Sequence, residues 1–101
     1  MYVMYTNPNI KSSRNEFDDY TIVEVWKKAI PVKHFELYKK DINGSLMFFD
    51  DYGIESENGW EIVHIIPISE GGTNDLSNLQ PLHWKNNRIK SNNNKQWSAK
   101  N

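Results

Sequence analysis

Three residues in the second half of the chain, His64, Asn78 and Asn87, are of types that can organise hydrolysis of a phosphodiester. That reaction needs a base to deprotonate water and a cation to hold the charge developing on the phosphate and the leaving oxygen. A site with one metal ion assigns the first task to a histidine and the second to oxygen ligands. The three residues share one run, WEIVHIIPISEGGTNDLSNLQPLHWKNNRIKS, at residues 60–91. A strand, a turn and an antiparallel strand can bring a histidine beside a helix, whose residues then face it at short range. Taken singly, each residue also has an ordinary explanation. A histidine beside Ile65 and Ile66 is commonly a core residue with its hydrogen bonds satisfied. Asn78 could cap a turn, and Asn87 could be a solvated helix residue.

The elements that must position them can be read from the pattern. Gly59 to Pro67 predicts a strand ended by the proline. Ser69 to Asp75 predicts an extended turn, rich in residues that tolerate positive φ or cap backbone groups. A second short strand is expected around Asn78 to Leu82. His83 to Ser91 predicts a helix with Lys and Arg toward its end, where cations suit the helix dipole. His64 then ends the first strand, Asn78 stands at the turn into the second, and Asn87 lies one turn into the helix.

The first half is less regular. The first nine residues, ending in Asn-Pro-Asn, predict a loose arm. Tyr20, Val23, Trp26 and Lys27 recur at helical spacing, predicting a short helix within Asp19 to Ile30 stopped by Pro31, although the β-branched Ile22, Val23 and Val25 also suit a strand. His34 to Asp41 reads as a second short amphipathic segment, with Phe35, Leu37 and Tyr38 apolar. Asn43-Gly44 predicts a tight turn into a strand at Ser45 to Phe49. Asp50, Asp51, Glu55 and Glu57 form an acidic loop around Tyr52-Gly53.

With 101 residues and net charge −1, the chain is expected to be one domain with a thin, partly aromatic core. Four Trp, five Tyr and four Phe supply much of that core. The absence of Cys excludes disulfides and a thiolate zinc site, and suits a reducing cytoplasm. The start MYVMYTNPNIKSS has no charged leader followed by an apolar run, and no stretch has the length of a bilayer span. Charge is uneven: residues 1–59 carry seven Lys/Arg against ten Asp/Glu, and residues 60–101 carry five against three. From Pro81 onward there are cations (Lys85, Arg88, Lys90, Lys95, Lys100) and no acid. A phosphate backbone would favour such a segment. A solvated helix face and tail explains the charge equally well.

The segment from Trp60 to Lys90 resembles the HNH endonuclease family, also called His-Me finger or ββα-metal nucleases. The usual form of that family is a Trp-Glu-Ile-Asp-His-Ile strand, a Gly-Gly turn, Asn-Leu, and a helix bearing Asn-Arg-x-Lys. The order and spacing carry the likeness, not the single pieces. It implies an α+β fold with a ββα core at residues 59–92, preceded by an extension at 1–58 with a layer of short helices and a β-hairpin, and followed by a basic Asn-rich tail at 93–101. It also implies His64 as general base, Asn78 as the residue that holds the loop and orients the His64 ring through a backbone bond, and Asn87 as a ligand of Mg²⁺ or Mn²⁺. Lys85, Arg88, Lys90 and Lys95 would then meet nucleic acid.

Two departures from the family form matter. Many HNH domains hold the helix with zinc bound by two Cys pairs, but the corresponding helix positions here are His83 and Asn86. No structural zinc is expected, and Trp84 and Ile89 are expected to pack against Trp60 or Ile62 instead. His83, one helical turn before Asn87, could face the site, although packing is its more ordinary role. The second departure is Val63, which replaces the Asp that serves as anionic metal ligand. Glu61, two residues away on the same strand face, is a candidate replacement, as are Asp50 and Asp51. Two functions follow as expectations. One is a metal-dependent DNA endonuclease; the other is a degenerate HNH-fold protein that binds nucleic acid or a nuclease partner, as a phage-encoded inhibitor could. Both are expected of a cytoplasmic monomer or small homo-oligomer without membrane association.

Overall fold

The computed structural model describes residues 16–91, so the N-terminal arm and most of the basic tail, Lys95 included, lie outside the described residues. Asp18 starts the first helix, α1 (Asp19–Trp26), by accepting a hydrogen bond from the Thr21 N–H at 2.9 Å. This is an N-cap, and the bond holds the Asp18 carboxyl below its ordinary pKa. The helix ends at Trp26, short of Pro31. Lys27 to Ala29 turn, and Ile30–Pro31 form strand β1, which pairs antiparallel with β2 (Tyr38–Lys40). Pairing of β2 with β3 (Leu46–Phe48) completes a three-stranded antiparallel sheet.

The amphipathic stretch His34 to Asp41, expected among the short helices, is instead a pair of turns followed by β2. Tyr38 pairs with Phe48 and Lys39 with Met47, so partners eight and ten residues away in the chain outweigh local helical spacing. The Asn43-Gly44 turn is present, with Gly44 at φ 87°. Among the described residues of the N-terminal half, one α-helix and a 3-10 turn at Phe49–Asp51 stand where a layer of short helices was expected.

Strands β4 (Trp60–His64) and β5 (Leu79–His83) form a second antiparallel sheet, with His64 opposite Leu79 and Trp60 opposite His83. Helix α2, residues 84–91, follows directly. Strand β4 alternates, as a pleated strand must. Trp60 and Ile62 join Val25, Trp26, Met47, Tyr52 and Leu79 in the core. Glu61 and Val63 face the other way, toward α2. The Trp60 ring lies 5.0 Å from Trp26 and 4.9 Å from Tyr52, centroid to centroid, and its Nε1 donates to the Phe49 carbonyl. Lys28, just beyond α1, donates to the Leu76 and Leu79 carbonyls and ties the helix to the start of β5.

The same alternation overturns two expectations. Ile89 on α2 is exposed, and Trp84 stacks on His83 and donates to the Ser56 carbonyl, because the apolar side of β4 faces α1. His83 belongs to β5, not α2. It is buried, with Nε2 on the Glu57 carbonyl and Nδ1 accepting from the Lys85 N–H, so it does not face the site. Asp41, only 1 % exposed, joins the β2–β3 turn to the start of α2. One carboxylate oxygen accepts from the Asn43 and Ser45 N–H groups, the other from the His83 N–H and the Asn86 amide. No helix among the described residues is long and apolar enough to cross a membrane.

Candidate functional site

His64 is the last residue of β4, and the chain turns away immediately after it. The Ile65 N–H donates to the Asn78 carbonyl at 2.8 Å. Asn78 then clamps the loop from inside: its Oδ1 accepts from the Ile66 N–H, and its Nδ2 donates to the Ile66 and Thr73 carbonyls. These bonds, and not Pro67, end the strand. Gly72 closes the loop, where a Cβ would lie 1.8 Å from the Ile66 carbonyl oxygen, so a side chain there has no room.

Asn78 therefore bonds to the loop on both sides, but it does not touch the His64 ring. Its carbonyl is taken by Ile65. The ring's Nε2 is 2.7 Å from the amide oxygen of Asn74, a residue that the sequence reading passed over within the polar turn. Phe17 lies against the ring, with centroids 6.3 Å apart.

Helix α2 brings Asn87 and Lys90 to the same corner. His64, Val63, Asn87, Lys90 and Ser91 line a cleft of about 350 Å³, closed on its apolar side by Ile62, Pro67 and Ile68. Lys90 reaches back toward the His64 carbonyl at 3.4 Å. The Asn87 amide donates to a Glu61 oxygen at 2.7 Å, and its Oδ1 has no hydrogen bond among the described residues. Asn78 lies behind this cleft and does not line it. Asp50 and Asp51 do not line it either, and Asp51 accepts from the Ser56 hydroxyl.

Glu61 and Arg88 form an ion pair beside this cleft. The Arg88 guanidinium grips both oxygens of the buried Glu61, at 3.0 and 3.1 Å, and reaches Glu55 at 2.7 Å. A bidentate pair of this kind is charge-assisted and geometrically exacting. Hydrogen bonding to Glu61, then to Glu55, pushes the guanidinium pKa further up. Glu61 is thus engaged by Arg88 and Asn87, and Arg88, expected at a phosphate, is neutralised within the protein. Lys85 is exposed and lies 5.7 Å from the Trp84 ring centroid.

The site therefore offers an imidazole, a neutral amide oxygen and an ammonium in one cleft, with an aliphatic side chain at the remaining position. Comparison with known proteins gives one match: residues 49–93, just under half of the chain, fit the family model described as HNH endonuclease. No curated protein and no solved structure matches the chain.

Proposed function

We propose that this chain, which carries an HNH endonuclease domain at residues 49–93, acts on DNA phosphodiesters through the cleft between β4 and α2, with His64 taking a proton from the attacking water. The observation that supports this reading is the meeting of His64, Asn87 and Lys90 in one cleft. In the neutral form, an imidazole can accept a proton near neutral pH. Lys90 at the cleft, and Lys85 exposed on a different side of α2, supply charge for the nucleic-acid backbone. Arg88 braces the back of the cleft by holding Glu61, which in turn anchors the Asn87 amide.

HNH domains usually work with a divalent metal, which supplies charge stabilisation at the phosphate when bound. The residues here fit such a cation poorly. Mg²⁺ takes oxygen ligands, normally including a carboxylate. The side-chain oxygens lining the cleft are the neutral groups of Asn87 and Ser91. Glu61 is held by Arg88, and no group of three or more His, Asp or Glu among the described residues is placed to hold a metal. This poverty of donors favours a second reading, in which the domain binds DNA or a protein partner at the same face without cutting.

The two readings separate in one experiment. Supercoiled plasmid is incubated with wild type and His64→Ala, with Mg²⁺, Mn²⁺ or EDTA, while duplex binding is followed by fluorescence anisotropy across a salt series. Cutting that His64→Ala abolishes supports hydrolysis with His64 as base. Binding that weakens with salt, with no cutting by either protein, supports the second reading with nucleic acid as ligand. If neither occurs, the reading of DNA as ligand is refuted and a protein partner remains.

A further inference from the structure

We propose that Asn74 is the positioning residue for His64, and that its amide oxygen sets which ring nitrogen carries the proton. A neutral imidazole has one N–H and one lone pair, and the partner of one nitrogen decides the state of the other. The partner of Nε2 is the Asn74 Oδ1, 2.7 Å away, and a carbonyl-type oxygen can only accept. Nε2 therefore carries the hydrogen, and the lone pair resides on Nδ1. No described residue donates to Nδ1. The role of Nδ1 as proton acceptor rests on the reading of His64 as base; the tautomer and the holding of the ring do not.

The loop places Asn74 for this task. Its two neighbours are pinned: the Thr73 carbonyl accepts from Asn78 Nδ2, and the Asp75 carbonyl accepts from the Asn78 N–H. The Asp75 N–H also donates to the Thr73 hydroxyl. Asn78 further fixes Ile65 and Ile66, the two residues after His64. One buried asparagine thereby sets both the strand end that carries the ring and the turn that carries its partner. Asn74 itself is exposed, so its side chain contributes little packing. Phe17 flanks the ring, and Asn74 supplies the directional contact at its Nε2 edge.

The test reads the ring directly. In ¹⁵N-labelled protein at about pH 8.5, where a histidine with an ordinary pKa is neutral, ring ¹H–¹⁵N correlations report the protonated nitrogen of each histidine. In wild type, His64 should be protonated at Nε2 with its proton protected from exchange. Asn74→Ala should lose that protected proton, and Asn74→Asp, which keeps an acceptor, should restore it. The His83 Nε2, held by the Glu57 carbonyl, serves as the internal control and should not change. If wild type cuts DNA, Asn74→Ala should lower kcat about tenfold at unchanged KM, equivalent to ~1.4 kcal/mol, and Asn74→Asp should recover much of it. A His64 ring protonated at Nδ1 in wild type would overturn the proposal, because the Asn74 amide would then be donating. So would a protected Nε2 proton that survives in Asn74→Ala. If the ring behaves as proposed but His64→Ala still cuts, the assignment of His64 as base fails and that of Asn74 as its positioner stands.

Discussion

Replacing Asp41 should destabilise this protein more than any exposed substitution, and the reason can be worked from its partners. Four N–H donors converge on its two oxygens, at distances from 2.8 to 3.0 Å, and they come from two segments some forty residues apart in the chain. In Asp41→Ala the His83 N–H stays buried without an acceptor, at a cost of about 1–3 kcal/mol. The Asn43, Ser45 and Asn86 donors are part-buried and recover water more easily, adding roughly 1 kcal/mol together. Removing a buried carboxylate returns some of its desolvation cost, so a net loss of about 2 kcal/mol is expected. A domain of this size holds roughly 5–15 kcal/mol in all. Asp41→Asn is the sharper probe. It preserves volume and one oxygen, but turns an NH₂ group toward two donors. Urea unfolding followed by the fluorescence of the four Trp residues gives both values from the midpoint and slope. Donor–acceptor matching predicts that Asn is nearly as damaging as Ala. An Asn variant within about 1 kcal/mol of wild type, on the scale of a single neutral hydrogen bond, would refute this account and leave Asp41 a residue of fit alone.

Arg88→Ala should cost about 2–3 kcal/mol, because it strands the buried Glu61 charge while its own end is partly solvated; in the double variant Arg88→Ala, Glu61→Gln, thermal melts should recover most of that loss. Val63→Asp should lower stability, since Val63 is 7 % exposed, yet raise Mg²⁺ or Mn²⁺ affinity measured by calorimetry, by placing a carboxylate beside Asn87. If hydrolysis rises with metal by less than tenfold, equivalent to ~1.4 kcal/mol, the missing ligand is not what limits the wild type. Asp18→Ala should lower the melting temperature at neutral pH. The cap holds the folded pKa of Asp18 below its usual 3.8, so its contribution is present above that value and lost as pH falls through the folded pKa. The wild-type and Ala melting temperatures should therefore converge in acid, and a constant gap would show that the Asp18 charge plays no part.

Periodicity and turn chemistry were enough to read β4, the Gly-containing loop, the Asn43-Gly44 turn and the run of α2. Each depends on neighbours within a few residues: alternation for β4, positive φ for Gly44 and Gly71, dipole-matched cations for α2. A strand, a turn, a strand and a helix of these lengths were also enough to bring His64 and Asn87 to one corner, whereas Asn78, expected with them, lies behind the cleft and Lys90 lines it instead. The unpaired position at Val63 was visible as well. What the residues do within that corner was decided by contacts the sequence cannot express. Asn74 and Asn78 are two asparagines in one polar turn, and their types do not tell which meets the ring. The burial of Asn78 leaves the backbone as its partner, whereas the exposed Asn74 lies beside His64. Glu61 looked like a spare ligand until Arg88, twenty-seven residues away, enclosed it. His34 to Asp41 became turns and strand because β3 offered a ladder. A buried aspartate at position 41 is stable only where distant donors meet it, and tertiary structure alone brings them together.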